Sequence, residues 1–206
     1  MRVGILGGTF DPIHLAHLII AEEARVRLGL EEVVFIPTGQ PWLKADKPVT
    51  PAELRLQMVK LAIQSNPFFR ASSLELDRPG LTYTVDTLEA LRDEWGPEVE
   101  MHFILGMDAL LSLPQWKEPQ RLLDMCVPVV FTRPGFPLSL LEGLKNQFPI
   151  LKGKLNLLED PEIGISGTEI RRRLAGGLSA RYLVPLEVER FISKHGLYRA
   201  DGAGSH

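Results

Sequence analysis

Short apolar runs alternate along this chain with longer segments whose apolar residues recur every three or four positions. The runs predict strands at 2–6, 32–36, 69–76, 100–105, 127–132 and 154–158. The helical periods predict helices at 15–28, 51–65, 84–95, 108–112, 119–125, 138–147, 167–175 and 185–195. Several segments carry end signals. Gly29 follows the first helix as its terminator. Thr50-Pro51-Ala52-Glu53 reads as a capping box with proline at the first helical position, and Ser166-Gly167-Thr168-Glu169 as a second box. Pro185 opens the last helix and Gly196 closes it. Strands that alternate with helices predict an α/β fold with a parallel, doubly wound sheet. Such sheets bind ligands beyond the carboxyl ends of their strands, near the point where strand order reverses.

Composition narrows the picture further. The chain has 206 residues, 45% of them hydrophobic, enough for a substantial core. That length suits one domain over 1–198, its helical C-terminal part starting near 166, followed by a small polar tail at 199–206 that is expected to fray. With 23 basic and 26 acidic residues the net charge is −3, and the lack of a basic excess speaks against a nucleic-acid polymer as partner. No apolar run reaches membrane-spanning length, and the N-terminus reads as a core strand rather than a signal peptide. Cys126 is the single cysteine, which excludes internal disulfides and fits a reducing cytoplasm. It reads as a small buried apolar residue.

The richest stretch is Gly4-Ile-Leu-Gly-Gly-Thr-Phe-Asp-Pro-Ile-His14-Leu-Ala-His17. An apolar strand enters a glycine turn at Gly7 and Gly8, Asp11-Pro12 breaks the backbone, and a helix opens with two histidines. A strand that ends on glycines and feeds a helix N-terminus suits anionic phosphate, because free N–H groups and the helix dipole point outward there. His14 and His17, three apart, share one helix face. The glycine spacing is not the dinucleotide fingerprint, and no GxxxxGK[ST] occurs. A second helix start, Ile165-Ser166-Gly167-Thr168-Glu169-Ile170-Arg171, adds hydroxyls at Ser166 and Thr168, with an arginine one turn in that can fork onto phosphate oxygens. Between them the Pro- and Gly-containing loop after the second strand carries Lys44, with Lys47 as the alternative, either of which can reach a phosphate as a point charge.

His14-Leu15-Ala16-His17, preceded by the string from Gly7 to Pro12, resembles the (T/H)xGH nucleotidyltransferase superfamily, with alanine at the usual glycine. The late run resembles that superfamily's ISSTxxR motif, with Gly167 at the second serine. Three more stretches are similar to the bacterial nicotinate mononucleotide adenylyltransferases. They are Arg78 to Leu88 (RPGLTYTVDTL), Phe103 to Trp116 (FILGMDALLSLPQW) and Val184 to Tyr198, with Phe191 at a customary tyrosine. The resemblance runs from Val3 to Tyr198.

It implies a Rossmann-like fold and transfer of AMP from ATP to nicotinate mononucleotide, giving deamido-NAD and pyrophosphate. In that reaction a phosphate dianion attacks the α-phosphorus, so no general base is needed. The protein aligns two polyanions and neutralises developing charge. The resemblance then implies His17 as the main α-phosphate donor, assisted by His14, Thr9 and Arg171. ATP would be held by Gly7, Gly8, Lys44, Ser166 and Thr168, with Gly106 and Asp108 at its ribose. Tyr83, Thr84, Trp116 and Arg133 would serve the mononucleotide, Trp116 by stacking on the pyridine ring. Mg2+ would be held mainly through ATP phosphates and water, with no metal-binding carboxylate cluster in the protein. Two alternatives stay open: the same fold acting on nicotinamide mononucleotide or phosphopantetheine, and a non-catalytic nucleotide-binding module. The oligomeric state is open too, a homo-oligomer included.

Overall fold

The computed structural model describes residues 1–41, 49–132, 139–161 and 163–199. Lys44, Lys47, Arg133 and most of the expected tail lie outside the described residues. Six parallel strands form the main sheet: β1 (Arg2–Gly8), β2 (Glu32–Pro37), β4 (Phe69–Ala71), β6 (Glu100–Gly106), β7 (Val127–Phe131) and β8 (Asn156–Leu158), in the order β4-β2-β1-β6-β7-β8. The chain runs outward from β1 to β4, then returns to place β6 beside β1, so strand order reverses between those two.

Alternate residues of each strand serve opposite layers, as the two-residue period of a strand requires. Val3, Ile5, Val34, Ile36 and Phe103 face one core, with α3 (Thr84–Trp95), α4 (Met107–Leu111), α5 (Pro119–Met125), α6 (Ser139–Gln147) and α7 (Leu151–Lys154) against it. Leu6, Val33, Phe35, Ile104 and Val129 face the other, against α1 (Leu15–Leu28), α2 (Ala52–Ile63), α8 (Gly167–Ala175) and α9 (Leu186–Lys194). Cys126 is buried, and burial pushes its thiol up to about 12. No helix among the described residues is long and apolar enough to cross a membrane.

The expected elements form, with four differences. The run at 69–76 pairs only to Ala71, because Ser73 turns the chain: its carbonyl accepts from Leu76 and Asp77 N–H, and its hydroxyl reaches the Asp77 carboxylate at 2.8 Å. Residues 151–154 are helical, so the last strand starts at Asn156 rather than 154. A two-residue parallel ladder joins β3 (Gln40–Pro41) to β5 (Leu81–Thr82), a pairing of distant segments too short to leave a sequence period. Thr50 does not cap α2. The helix begins at Ala52 after Pro51 without a side-chain cap, and the Thr50 carbonyl is instead held at 2.8 Å by Nε of Arg55. The box at Ser166 does form its first half: Ser166 Oγ accepts from the Glu169 N–H at 3.3 Å.

Candidate active site

A cleft of about 490 Å3 opens where strand order reverses, at the carboxyl ends of β1 and β6. Gly7, Gly8 and Thr9 enter its wall from the first turn, and His14, Ala16 and His17 from the start of α1. His14 is the residue before the helix, and its backbone N–H donates to Nδ1 of His17 at 3.2 Å. A nitrogen that accepts a hydrogen bond carries a lone pair, so in the neutral ring of His17 the proton sits on Nε2. The two imidazoles stack at 3.7 Å with 20° between planes, and Phe10 meets His17 edge-on at 5.0 Å. His14, nearly buried, thereby fixes the plane of His17. The Ala16 methyl lies in the same wall.

Across the cleft, Gly106 ends β6 and the exposed Asp108 sits in the first turn of α4. A Cβ at position 106 would lie 2.7 Å from Oδ1 of Asp108, so glycine there lets the carboxylate fold back over the strand end. Farther along, Thr84 and Trp116 line the cleft. Trp116 is half-buried. Its indole N–H donates to Ser112 Oγ at 2.9 Å, and Phe103 packs on it edge-to-face at 6.1 Å, which locks the ring orientation. Tyr83 packs instead against the neighbouring core, with the Lys117 ammonium 5.1 Å from its ring centre.

Ser166, Thr168 and Arg171 stand outside the cleft wall proper, against the first turn. Arg171 Nη1 donates to the Asp11 carbonyl at 2.6 Å and Nη2 to Thr168 Oγ1 at 3.3 Å. A Cβ at position 167 would come within 3.1 Å of that Asp11 carbonyl, so Gly167 lets the two segments approach where the superfamily pattern has serine. The late helix and the opening turn therefore meet through one guanidinium.

Three further polar groups build the site. Arg55 of α2 is 1% exposed, yet its guanidinium is surrounded by carbonyls. It donates to Thr9 and Thr38 at 2.7 Å each, to Gly39 at 3.1 Å and to Thr50 at 2.8 Å. One side chain thus ties the first turn to both ends of the loop that contains Lys44. Burial lowers the Arg55 pKa, and Asp11 offsets part of that cost. Sequence reasoning passed over Arg55, although its position three and four residues before Met58 and Val59 places it on the buried stripe of α2. The second group is Glu75, buried in the cleft wall. Its carboxyl accepts from Thr87 Oγ1 at 2.8 Å and is held above its ordinary value by burial. The third is Asp11, whose Oδ1 accepts from the Tyr198 hydroxyl at 2.6 Å across 187 residues of chain.

Two polar helix starts meeting beside the reversal point of a parallel sheet define a nucleotide-binding α/β architecture. Residues 5–173 match the cytidylyltransferase-like family. A Moorella thermoacetica protein with the name "Probable nicotinate-nucleotide adenylyltransferase" is 48% identical over 199 residues, covering 96% of this chain and 92% of that protein. A Roseiflexus sp. protein of the same name is 49% identical over 197 residues, with 96% and 98% covered. In fold the chain resembles the Plasmodium falciparum nicotinic acid mononucleotide adenylyltransferase complexed with NaAD, with a TM-score of 0.79 at 23% identity, covering 96% of this chain and 97% of that one. The chain belongs to the nicotinate-nucleotide adenylyltransferases of the cytidylyltransferase-like family.

Proposed function

We propose that this enzyme transfers AMP from ATP to nicotinate mononucleotide, forming deamido-NAD and releasing pyrophosphate, and that residues 1–198 act as one catalytic unit. The observation that carries the site assignment is the Arg171 bridge to the Asp11 carbonyl beside the cleft at β1 and β6. The family assignment and the shared name of the relatives support the substrates.

A phosphate oxygen of the mononucleotide attacks the α-phosphorus of ATP. A new P–O–P bond forms, the bond to the β-phosphate oxygen breaks, and pyrophosphate leaves with that electron pair. A phosphomonoester has its second pKa near about 6, so the nucleophile is already largely a dianion. The protein therefore has two tasks: to align two polyanions and to absorb charge as it moves to the leaving group.

The assigned roles follow from position. The N–H groups of Gly7, Gly8 and Thr9 approach the triphosphate, and the Nε2–H of His17 donates to the α-phosphate, held in plane by His14. Arg171 spends two of its five donors on Asp11 and Thr168 among the described residues, and the rest of the fork serves the β- and γ-phosphates beside Ser166 and Thr168. Lys44 supplies a further positive charge from the anchored loop. Asp108, over Gly106, accepts from the adenosine ribose. The fixed face of Trp116 stacks on the pyridine ring, Thr84 and Arg133 complete the mononucleotide side, and Tyr83 serves it from the adjoining core. Among the described residues no group of three or more His, Cys, Asp or Glu side chains could hold a metal ion. In this proposal Mg2+ enters with ATP as part of the substrate, bound to its phosphates.

Pyrophosphate release with ATP and either mononucleotide tests this reading. The expected result is a preference for nicotinate over nicotinamide mononucleotide in kcat/KM. A preference for the amide refutes the acceptor assignment. Release with neither, although ATP binds in calorimetry, turns the protein into a nucleotide-binding module.

A further inference from the structure

The Asp11 side chain lies inside the first turn, 8% exposed, and is not part of the cleft wall. Its Oδ1 takes a 2.6 Å hydrogen bond from the Tyr198 hydroxyl, and Oδ2 faces the Thr50 N–H at a long 3.4 Å. Its own carbonyl, two bonds from the side chain, is the acceptor for Arg171. One residue is thus held from three sides. Tyr198 approaches from beyond α9, Thr50 from the far end of the loop carrying Lys44, and Arg171 from α8.

Tyr198 is well placed to be the firm member of this set. It packs partly buried against the same core as Val188 and Ile192 of α9 and Met58 and Val59 of α2. It takes a left-handed backbone angle, φ 64°, which a non-glycine residue adopts only when its surroundings demand it. Burial and the adjacent Asp11 carboxylate both push the phenol pKa up, so it stays a proton donor throughout the neutral range. Of the two hydrogen bonds to the carboxylate among the described residues, the tyrosine bond is far the shorter, and short bonds to a charged acceptor are the strong ones.

We infer that Tyr198 is a positioning residue for catalysis: its hydroxyl pins the Asp11 carboxylate, and through it the carbonyl that aims Arg171 at the triphosphate. This inference rests on the proposed function. Tyr198 touches no substrate, and its effect passes through Asp11 and Arg171. Without the hydroxyl, the carboxylate keeps among the described residues the long Thr50 hydrogen bond and the charge of Arg55, and it turns toward solvent, because a buried charge short of hydrogen bonds is costly. The peptide turns with it and Arg171 loses its acceptor. The mononucleotide side, at Trp116 and Thr84, lies away from this turn and is left alone.

The test is Tyr198→Phe, which removes one oxygen, assayed for pyrophosphate release well below the unfolding temperature of either enzyme. Expected are a kcat/KM for ATP lower by about tenfold, a loss equal to one charge-assisted hydrogen bond, and a KM for nicotinate mononucleotide within twofold of the parent. A double-mutant cycle with Asp11→Ala separates positioning from general stability: once Asp11 is gone, the loss in kcat/KM for ATP from Tyr198→Phe shrinks to within about twofold. Unchanged kinetics with only a lower unfolding temperature overturn the inference, as do independent, multiplicative losses in the cycle. A parent enzyme that releases no pyrophosphate refutes the functional reading and this inference with it. An active parent matched by Tyr198→Phe refutes the inference alone.

Discussion

Replacing Arg55 with methionine probes how the site is held together. Methionine is long and flexible enough to fill much of the space left by the arginine stem, so the main loss is polar. Four carbonyls, at Thr9, Thr38, Gly39 and Thr50, lose a donor at once. A buried acceptor left without its partner costs about 1–3 kcal/mol. These carbonyls lie at loop edges where water regains some of them, so the low end applies, and four such losses come to about 4 kcal/mol. At about 2–4 °C per kcal/mol for a chain of this size, the melting temperature falls by roughly 8–16 °C. Urea unfolding followed by circular dichroism measures the loss directly, with the slope unchanged if the variant still unfolds as one unit. Arg55→Lys keeps the charge but not the fork, and falls between parent and Met. A loss below about 1 kcal/mol for Arg55→Met refutes the reasoning, because the carbonyls would then have other partners. KM for ATP rises in both variants, since Thr9 and both ends of the Lys44 loop are released together.

Three other outcomes follow from the same geometry. His17→Ala lowers the rate of pyrophosphate release by about 100-fold or more while ATP still binds in calorimetry, the size expected for losing one transition-state donor; near-normal turnover removes its catalytic role. Trp116→Ala raises the KM for nicotinate mononucleotide by about tenfold, consistent with about 0.5–1.5 kcal/mol of ring stacking plus lost buried area, and leaves the KM for ATP within twofold; equal changes for both substrates contradict the stack. For Glu75, burial raises the carboxyl above its ordinary 4.5. The stability from such a raised group is fully present below pH about 4.5 and is lost as pH rises through the folded-state value. Glu75→Gln cannot ionise, so its unfolding free energy relative to the parent grows from pH 4 to pH 7; a difference that does not change with pH contradicts this.

The fold was legible because its strands are buried on both faces. Val33, Val34, Phe35 and Ile36 form an unbroken apolar run, which only a central parallel strand needs, and the cap at Ser166 follows from local chemistry. The reading of the first turn as a phosphate site rests on Gly7, Gly8 and the two histidines, and these four residues do line one cleft wall. Other features had no local signature. The Tyr198–Asp11 bond spans 187 residues, and the β3–β5 ladder is two residues long. Thr50 carried a capping signal, but the helix starts after Pro51 without a side-chain cap, and the Thr50 carbonyl is held by Arg55. The predicted strand at 154–158 starts two residues late because 151–154 turn helical, with Leu151 buried. Arg55 was readable in principle, since its helical phase puts it inward, but an arginine on a buried stripe is read by habit as solvent-facing.

The most direct measurement is a structure of this enzyme with a non-hydrolysable ATP analogue and nicotinate mononucleotide. The account predicts one triphosphate touching both the Gly7–Thr9 turn and Arg171, its α-phosphate within hydrogen-bond reach of His17 Nε2. The pyridine ring should lie on Trp116. Phosphates bound to one segment while the other faces solvent, or a triphosphate seated away from His17, would contradict it.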